Sequence, residues 1–245
     1  MTHPILEVRN VTIRYGTRCV LSDVDLCVAS GEWFALMGPN GSGKTTLLRC
    51  VSGQLTPATG RVHLGGHSVL ETPEKAKHFL GYAHAPDRLP ELLTGRQCLE
   101  IYATAHDLAE IPAEILDLAV ELKLSPMLDH WCSTYSLGMR QKLSILLALI
   151  NDPALIVLDE ALNGLDPASV LVLKRELRER VARRHAAVLL ATHALDVVLR
   201  EATRAGLLLD GRLVKLWSRD ELDCIRASGA DALESALAGH AGSAH

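Results

Sequence analysis

One stretch of this 245-residue chain carries a full set of groups for holding phosphate. In Gly38-Pro39-Asn40-Gly41-Ser42-Gly43-Lys44-Thr45, two glycines five residues apart are followed directly by Lys and Thr. Such glycines let the backbone curl until its N–H groups converge on phosphate oxygens. Lys44 can neutralise the outer phosphates, and the Thr45 hydroxyl can ligate Mg²⁺. Thr46 continues into a helix whose positive dipole end faces the same anion. A second stretch, Leu155-Ile156-Val157-Leu158-Asp159-Glu160, ends an apolar run on two carboxylates. Asp159 can hold the metal, and Glu160 can act as general base on a water. Together they describe cleavage of a nucleotide phosphate.

These groups need strands to deliver them. Trp33 to Met37 reads as a buried strand running into the glycine loop, and Leu155 to Leu158 as a second. Ala187 to Ala191 reads as a third, followed by Thr192-His193. Ile5 to Tyr15 holds two short alternating stretches, and Val24 to Val28 and Arg61 to Leu64 read as further strands. Leu80 to Tyr82 is another. Helices are expected over Thr94 to Ala105, Pro112 to Leu124, Ser136 to Ile150 and Pro167 to Arg184, with Val170, Leu173, Leu177 and Val181 inward on the last. The basic run Lys174 to Arg184 reads as a solvated helix face. Arg204 to Trp217 reads as a hairpin turning at Asp210-Gly211, and Arg219 to Leu237 as one or two short helices before a frayed tail. Strands alternating with helices imply an α/β fold with a parallel sheet.

Composition removes other classes. Hydrophobic residues make up 48% of the chain and charged residues 22%, with a formal net charge of −4. That is ordinary globular usage, and the acidic balance argues against nucleic-acid binding. Mean hydropathy is +0.16, yet the longest apolar candidate, Leu143 to Leu158, is broken by Asn151, Asp152 and Pro153. No segment reaches the ~20 apolar residues of a membrane span. Met1 to Asn10 has no apolar signal core, so a cytoplasmic location is expected. The six cysteines, at 19, 27, 50, 98, 132 and 224, form no CxxC pair and are expected to be buried thiols.

Between the two phosphate motifs lies Tyr135-Ser136-Leu137-Gly138-Met139-Arg140-Gln141. With its flanking motifs it resembles the signature of the nucleotide-binding subunit of ATP-binding cassette (ABC) transporters. Ser136 and Gly138 match, and Met139 departs. The resemblance covers about residues 5 to 218. It implies a P-loop NTPase fold with a mostly parallel sheet, an N-terminal antiparallel β subdomain and a helical subdomain inserted at about 86–150. It implies ATP and Mg²⁺ as ligands: Tyr15 against adenine, residues 38–46 around the phosphates, Thr45 and Asp159 on the metal, Glu160 and His193 in catalysis. Ser136 and Gly138 would meet the ATP of a second cassette, identical or not, and Asp166 of Asn163-Gly164-Leu165-Asp166 would communicate across that dimer. The partner would be a polytopic membrane subunit, with the chain peripheral on the inner face of the cell membrane. Pro90 to Thr94 and the Tyr-Ser-x-Gly-Met form resemble exporter subunits. The family's loop Gln falls on Ala85, beside His84 and Asp87, and a methyl group can do neither of that amide's polar jobs. A soluble ATPase of cassette type, such as one for iron–sulfur assembly, and a weakly hydrolysing regulator remain as alternatives.

Overall fold

The computed structural model describes residues 4–83 and 85–228. Its strands are β1 (Pro4–Tyr15), β2 (Arg18–Ala29), β3 (Trp33–Met37), β4 (Thr59–Leu64), β5 (His67–Ser68), β6 (Leu80–Ala83), β7 (Leu155–Asp159), β8 (Ala187–Ala191), β9 (Arg204–Leu209) and β10 (Arg212–Trp217). Its helices are α1 (Lys44–Val51), α2 (Pro73–Lys77), α3 (Gly95–Ala105), α4 (Ala113–Glu121), α5 (Leu137–Leu149), α6 (Pro167–Arg184), α7 (Leu195–Glu201) and α8 (Arg219–Ser228).

Two sheets result. The order β2-β1-β4-β5 makes an antiparallel sheet, and β10-β9-β3-β8-β7-β6 makes a second. In the second sheet β3, β6, β7, β8 and β9 run parallel, and β10 alone pairs antiparallel, on its edge. The fold is thus the mostly parallel α/β architecture with an antiparallel N-terminal sheet. Its central strands explain their own composition. All five residues of β3 are buried. Trp33, Ala35 and Met37 face a core shared with α5 and α6, while Phe34 and Leu36 face a core shared with α1 and the antiparallel sheet. A strand covered on both faces must be continuously apolar, whereas a half-solvated one alternates.

Several boundaries differ from the sequence reading. The two stretches of Ile5 to Tyr15 are one strand, with register shifts between Val8 and Ile13 and a left-handed Asn10 at φ 49°. β2 begins at Arg18, well before Val24, and absorbs its own left-handed residue, Asp23 at φ 55°. Bulges of this kind break the period-2 pattern that marks a strand. α2 and α7 are too short for periodicity to announce them. Of the expected inward residues of α6, Leu173 and Leu177 are buried, while Val170 and Val181 are half-buried.

The basic run of α6 is not simply a solvated face. Arg180 is 1% exposed. Its Nε donates to Glu176 at 2.6 Å and its Nη1 to Asp152 at 2.9 Å. Lys174 is also buried and lies 3.7 Å from Glu201. The cysteines also depart from expectation: Cys50, Cys98 and Cys132 are buried, Cys27 is half-buried, and Cys19 and Cys224 are exposed. None is in a disulfide. Burial pushes the Cys50 thiol up to about 11 and the Cys98 thiol up to about 12. After β10, α8 seats Leu222 in the core. The expected helix beyond Ser228 and the tail lie outside the described residues.

Candidate functional site

β3 ends at Met37 and the chain turns at once into the glycine loop, with α1 starting at Lys44. Two glycines are sterically required. A Cβ on Gly38 would sit 2.3 Å from the Leu208 carbonyl oxygen. Gly43 has φ 108°, and a Cβ there would meet Leu21 Cδ2 at 2.6 Å. Lys44 is buried, and its Nζ donates to the carbonyls of Gly38 at 2.7 Å and Pro39 at 3.2 Å. The ammonium is thereby aimed back over its own loop.

β7 runs parallel between β6 and β8 and brings Asp159 and Glu160 beside that loop. Asp159 Oδ1 is buried and has no hydrogen-bond partner. Burial pushes the Asp159 carboxyl up, the Thr45 hydroxyl opposes the rise, Glu160 adds to it and Lys44 opposes it. An orphaned buried carboxylate oxygen beside a hydroxyl is the donor pair that a hard divalent cation takes, so the residues present fit Mg²⁺. Among the described residues no group of three or more His, Cys, Asp and Glu forms a metal cluster, so a cation here would depend on Thr45, Asp159 and its other oxygen ligands.

Glu160 is held on three sides. Its Oε1 lies 3.1 Å from His193 Nδ1 and 3.8 Å from Lys44 Nζ. Its Oε2 accepts from Asn163 Nδ2 at 2.9 Å. Its backbone is left-handed, φ 51°, a conformation that costs a non-glycine residue roughly 1–3 kcal/mol and persists only where the surroundings impose it. The Glu160 N–H donates to Ala191 O at 3.0 Å, which ties this turn to the end of β8 just before His193.

Lys44, Thr45, Asp159 and Glu160 line a cleft of about 410 Å³ together with Tyr15, Arg18, Asn40, Gly41 and Thr46. Tyr15 closes β1 and is 48% exposed, open enough to receive a flat ring. Ser42 is buried with an unpartnered Oγ, and it anchors the loop from behind through Gly211 N donating to its carbonyl at 3.0 Å.

Ser136, Gly138 and Asp166 do not join the cleft. Ser136 is exposed and caps α5, its Oγ accepting from Met139 N at 3.3 Å. Gly138 abuts the Asn163–Asp166 loop, since a Cβ there would lie 3.1 Å from Gly164 O. Asp166 caps α6 and pairs with Lys142 Nζ at 2.9 Å. Ser169 and Lys142 hold its carboxyl far below the usual carboxylate range. Sequence reasoning gave no direct role to Asn163 or Arg18. Asn163 was visible in the sequence only as part of a loop, and Arg18 carried no sequence signal; the structure pairs it with Tyr15 across the hairpin.

A phosphate-binding loop at the carboxyl edge of a parallel sheet, faced by an acidic pair, defines a P-loop nucleotide-binding domain. Comparison with known proteins narrows the class. The ABC transporter family model matches residues 21–163. The chain is 35% identical over 223 residues to "ATP-binding cassette sub-family A member 7" of Rattus norvegicus, covering 89% of this chain and 10% of that protein. It is 35% identical over 211 residues to "Nod factor export ATP-binding protein I" of Rhizobium meliloti, covering 85% of this chain and 63% of that one. The chain therefore spans less than two thirds of either relative. Among solved structures, an ATP-binding subunit of an ABC transporter superposes with a TM-score of 0.83 at 32% identity, covering 91% of this chain and 92% of the other. The dimeric bacterial ABC transporter cassette MJ0796 superposes with a TM-score of 0.79 at 25% identity, covering 87% and 98%. This chain belongs to the ABC transporter family, as one of its ATPase cassettes.

Proposed function

We propose that the chain binds and hydrolyses ATP as the subunit that powers an export transporter, through ATP-driven pairing of two cassettes. One observation carries this reading. Lys44, Thr45, Asp159, Glu160 and His193 converge at one cleft edge, while Ser136 and Gly138 lie outside it. A site split this way is completed by a second cassette, whose donors meet the terminal phosphate from the open side. ATP then acts as a bridging ligand for the closed pair, and its cleavage removes that preference. The dimeric MJ0796 cassette supports the geometry.

In the mechanism, the loop amides and Lys44 bind the phosphates, and Tyr15 receives the adenine. Thr45 and Asp159 would hold Mg²⁺, which supplies charge neutralisation on the departing phosphate oxygens. Glu160 accepts the proton of the attacking water. His193 and Asn163 orient its two oxygens, so the base is aimed before the water arrives. The whole of 1–218 serves as the ATPase domain, with 86–150 as its helical subdomain and 219–245 as a short extension.

Among the described residues no helix is long and apolar enough to cross a membrane. We assign the moving part to a polytopic membrane subunit that docks from the cytoplasmic side. A groove of about 410 Å³ between Gln54, Tyr82, Tyr102 and His106 joins the sheet edge to the helical block and fits that role. Export is favoured by Tyr135–Met139 and by the Nod factor export relative. The test is Mg²⁺-dependent phosphate release and size-exclusion chromatography with ATP. Lys44→Ala should abolish release, and Glu160→Gln should elute as an ATP-bound dimer. Release that survives both substitutions, or a Glu160→Gln variant that stays monomeric with ATP, refutes the proposal. Co-purification with a polytopic membrane protein separates it from a soluble cassette ATPase.

A further inference from the structure

α3 meets the approach to the signature stretch at two thiols. Cys98 Sγ lies 3.9 Å from Cys132 Sγ, and both residues are buried. Cys98 is in the first turn of α3, and Cys132 heads the short turn Cys132–Thr134. Depth does not seal this pair. Cys132 is flanked by exposed Trp131, Ser133 and Thr134. The turn is tied to the stretch before α3 through Cys132 N donating to Leu93 O at 2.8 Å and Ser133 N donating to Glu91 O at 3.2 Å. Opening so small a unit takes far less free energy than global unfolding, and it bares the thiol.

The two sulfurs are not equivalent. Burial pushes both thiols up, Cys98 to about 12. At Cys132 the Cys98 thiol and Arg140 oppose the rise. Arg140 reaches over this turn, its Nε donating to Tyr135 O and its Nη2 to Ser133 O, both at 3.4 Å. A cation beside a thiol favours the thiolate, which is the attacking form. Cys132 is therefore the nucleophile of the pair and Cys98 its resolving partner.

We propose that Cys98 and Cys132 form an oxidative modification site: a hydroperoxide converts them to a disulfide that slows ATP hydrolysis by shifting the signature stretch. Cys132 Sγ attacks one peroxide oxygen, the O–O bond breaks, and the leaving oxygen departs with the thiol proton, as water when the oxidant is hydrogen peroxide. Cys98 Sγ then attacks the sulfenic sulfur, the S–O bond breaks, and that oxygen leaves with the Cys98 proton as water. The two sulfurs lose two electrons and the peroxide gains them. Closing 3.9 Å to the ~2.05 Å of an S–S bond draws the turn and α3 together by about 2 Å. Tyr135 leaves no slack for this. Its hydroxyl donates to Met127 O at 2.7 Å and packs against α3, where a Cβ on Gly95 would lie 2.3 Å from it. The displacement passes to Ser136, the next residue, which is exposed. The rate effect rests on hydrolysis by paired cassettes as proposed above; the disulfide itself does not.

The test uses the full chain carrying Cys19→Ser and Cys224→Ser, which removes the exposed thiols, and hydrogen peroxide as oxidant. Mass spectrometry of the digest should find a linked Cys98–Cys132 peptide that dithiothreitol erases. Misplacing a reacting group by about 1 Å costs up to ~10²-fold, so kcat for ATP should fall about 10-fold on oxidation and recover to within about twofold on reduction. Affinity for ATP should stay level. Cys98→Ala should accumulate a sulfenic acid on Cys132, captured by dimedone. Cys132→Ala should keep its rate under peroxide, with Cys132→Ser serving if it unfolds. Absence of the linked peptide, a linked peptide without loss of rate, no dimedone adduct on Cys132, or equal inhibition of the Cys132 variants each overturn the proposal. A reduced parent that hydrolyses no ATP refutes the proposed function and the rate effect together, and the linked peptide then decides whether the modification site is real.

Discussion

Glu160→Gln should slow hydrolysis and tighten ATP binding at once, and the two effects have separate origins. Removing a positioned general base costs about 10²–10⁴ in rate, roughly 3–5 kcal/mol of barrier. The tightening comes from Lys44. Its ammonium lies 3.8 Å from Glu160 Oε1. At that separation two unit charges attract by about 4 kcal/mol at an effective dielectric of 20 and about 1 kcal/mol in bulk water. The Glu160 side chain is 27% exposed and shares its charge with His193 and Asn163, so screening favours the low end. An anionic nucleotide must compete with Glu160 for Lys44. Neutralising the carboxylate removes that competitor, for a gain of about 1 kcal/mol or fivefold in affinity. Titration of a fluorescent ATP analogue gives the affinity, and single-turnover phosphate release gives the rate. A variant within threefold of the parent rate, or one that binds ATP more weakly, refutes this account of the site.

Further predictions follow from other contacts. Gly43→Ala should abolish ATP binding or destabilise the fold by roughly 1–3 kcal/mol, because the new methyl meets Leu21 at 2.6 Å on a φ of 108°; calorimetry and thermal melting check it. Arg180→Met should lower stability by roughly 2 kcal/mol and the melting midpoint by about 4–8 °C, since it strips the buried partner from Glu176 and Asp152. Arg183→Met, on the exposed face, should stay within about 0.5 kcal/mol. Lys215 and the Ser218 cap hold the Glu221 carboxyl down to about 2. A depressed folded value means that this tether is complete above the ordinary carboxylate range and is lost as pH falls from about 4.5 toward about 2. Proteolysis near α8 should rise across that window, and Glu221→Gln should remove the dependence.

The phosphate loop, the acidic pair and the signature stretch were all legible in the sequence because each is local. Their chemistry depends on residues within eight positions of one another, and the flanking apolar runs of β3 and β7 announce buried parallel strands. Short or distorted elements were not legible. α2 and α7 are too brief for a helical period, and β1 and β2 hide their pairing behind left-handed Asn10 and Asp23. The basic run of α6 looked solvated because periodicity counts apolar residues and cannot see that Asp152 and Glu114 arrive from distant turns to receive Arg180 and Arg184.

What the sequence by itself determined is the reacting set: Lys44 and Thr45 for phosphate and metal, Asp159 and Glu160 for metal and water. Their identities and local spacing are covalent facts. What only the tertiary structure decided is which of them meet. Parallel pairing of β7 beside β8 puts Glu160 against His193 and Asn163, β3 beside β8 brings Lys44 within reach, and the packing of α5 leaves Ser136 facing outward while Gln141 turns in. Such contacts join segments far apart in the chain, and they form only when burial of the shared cores outweighs the entropy of closing the loops between them.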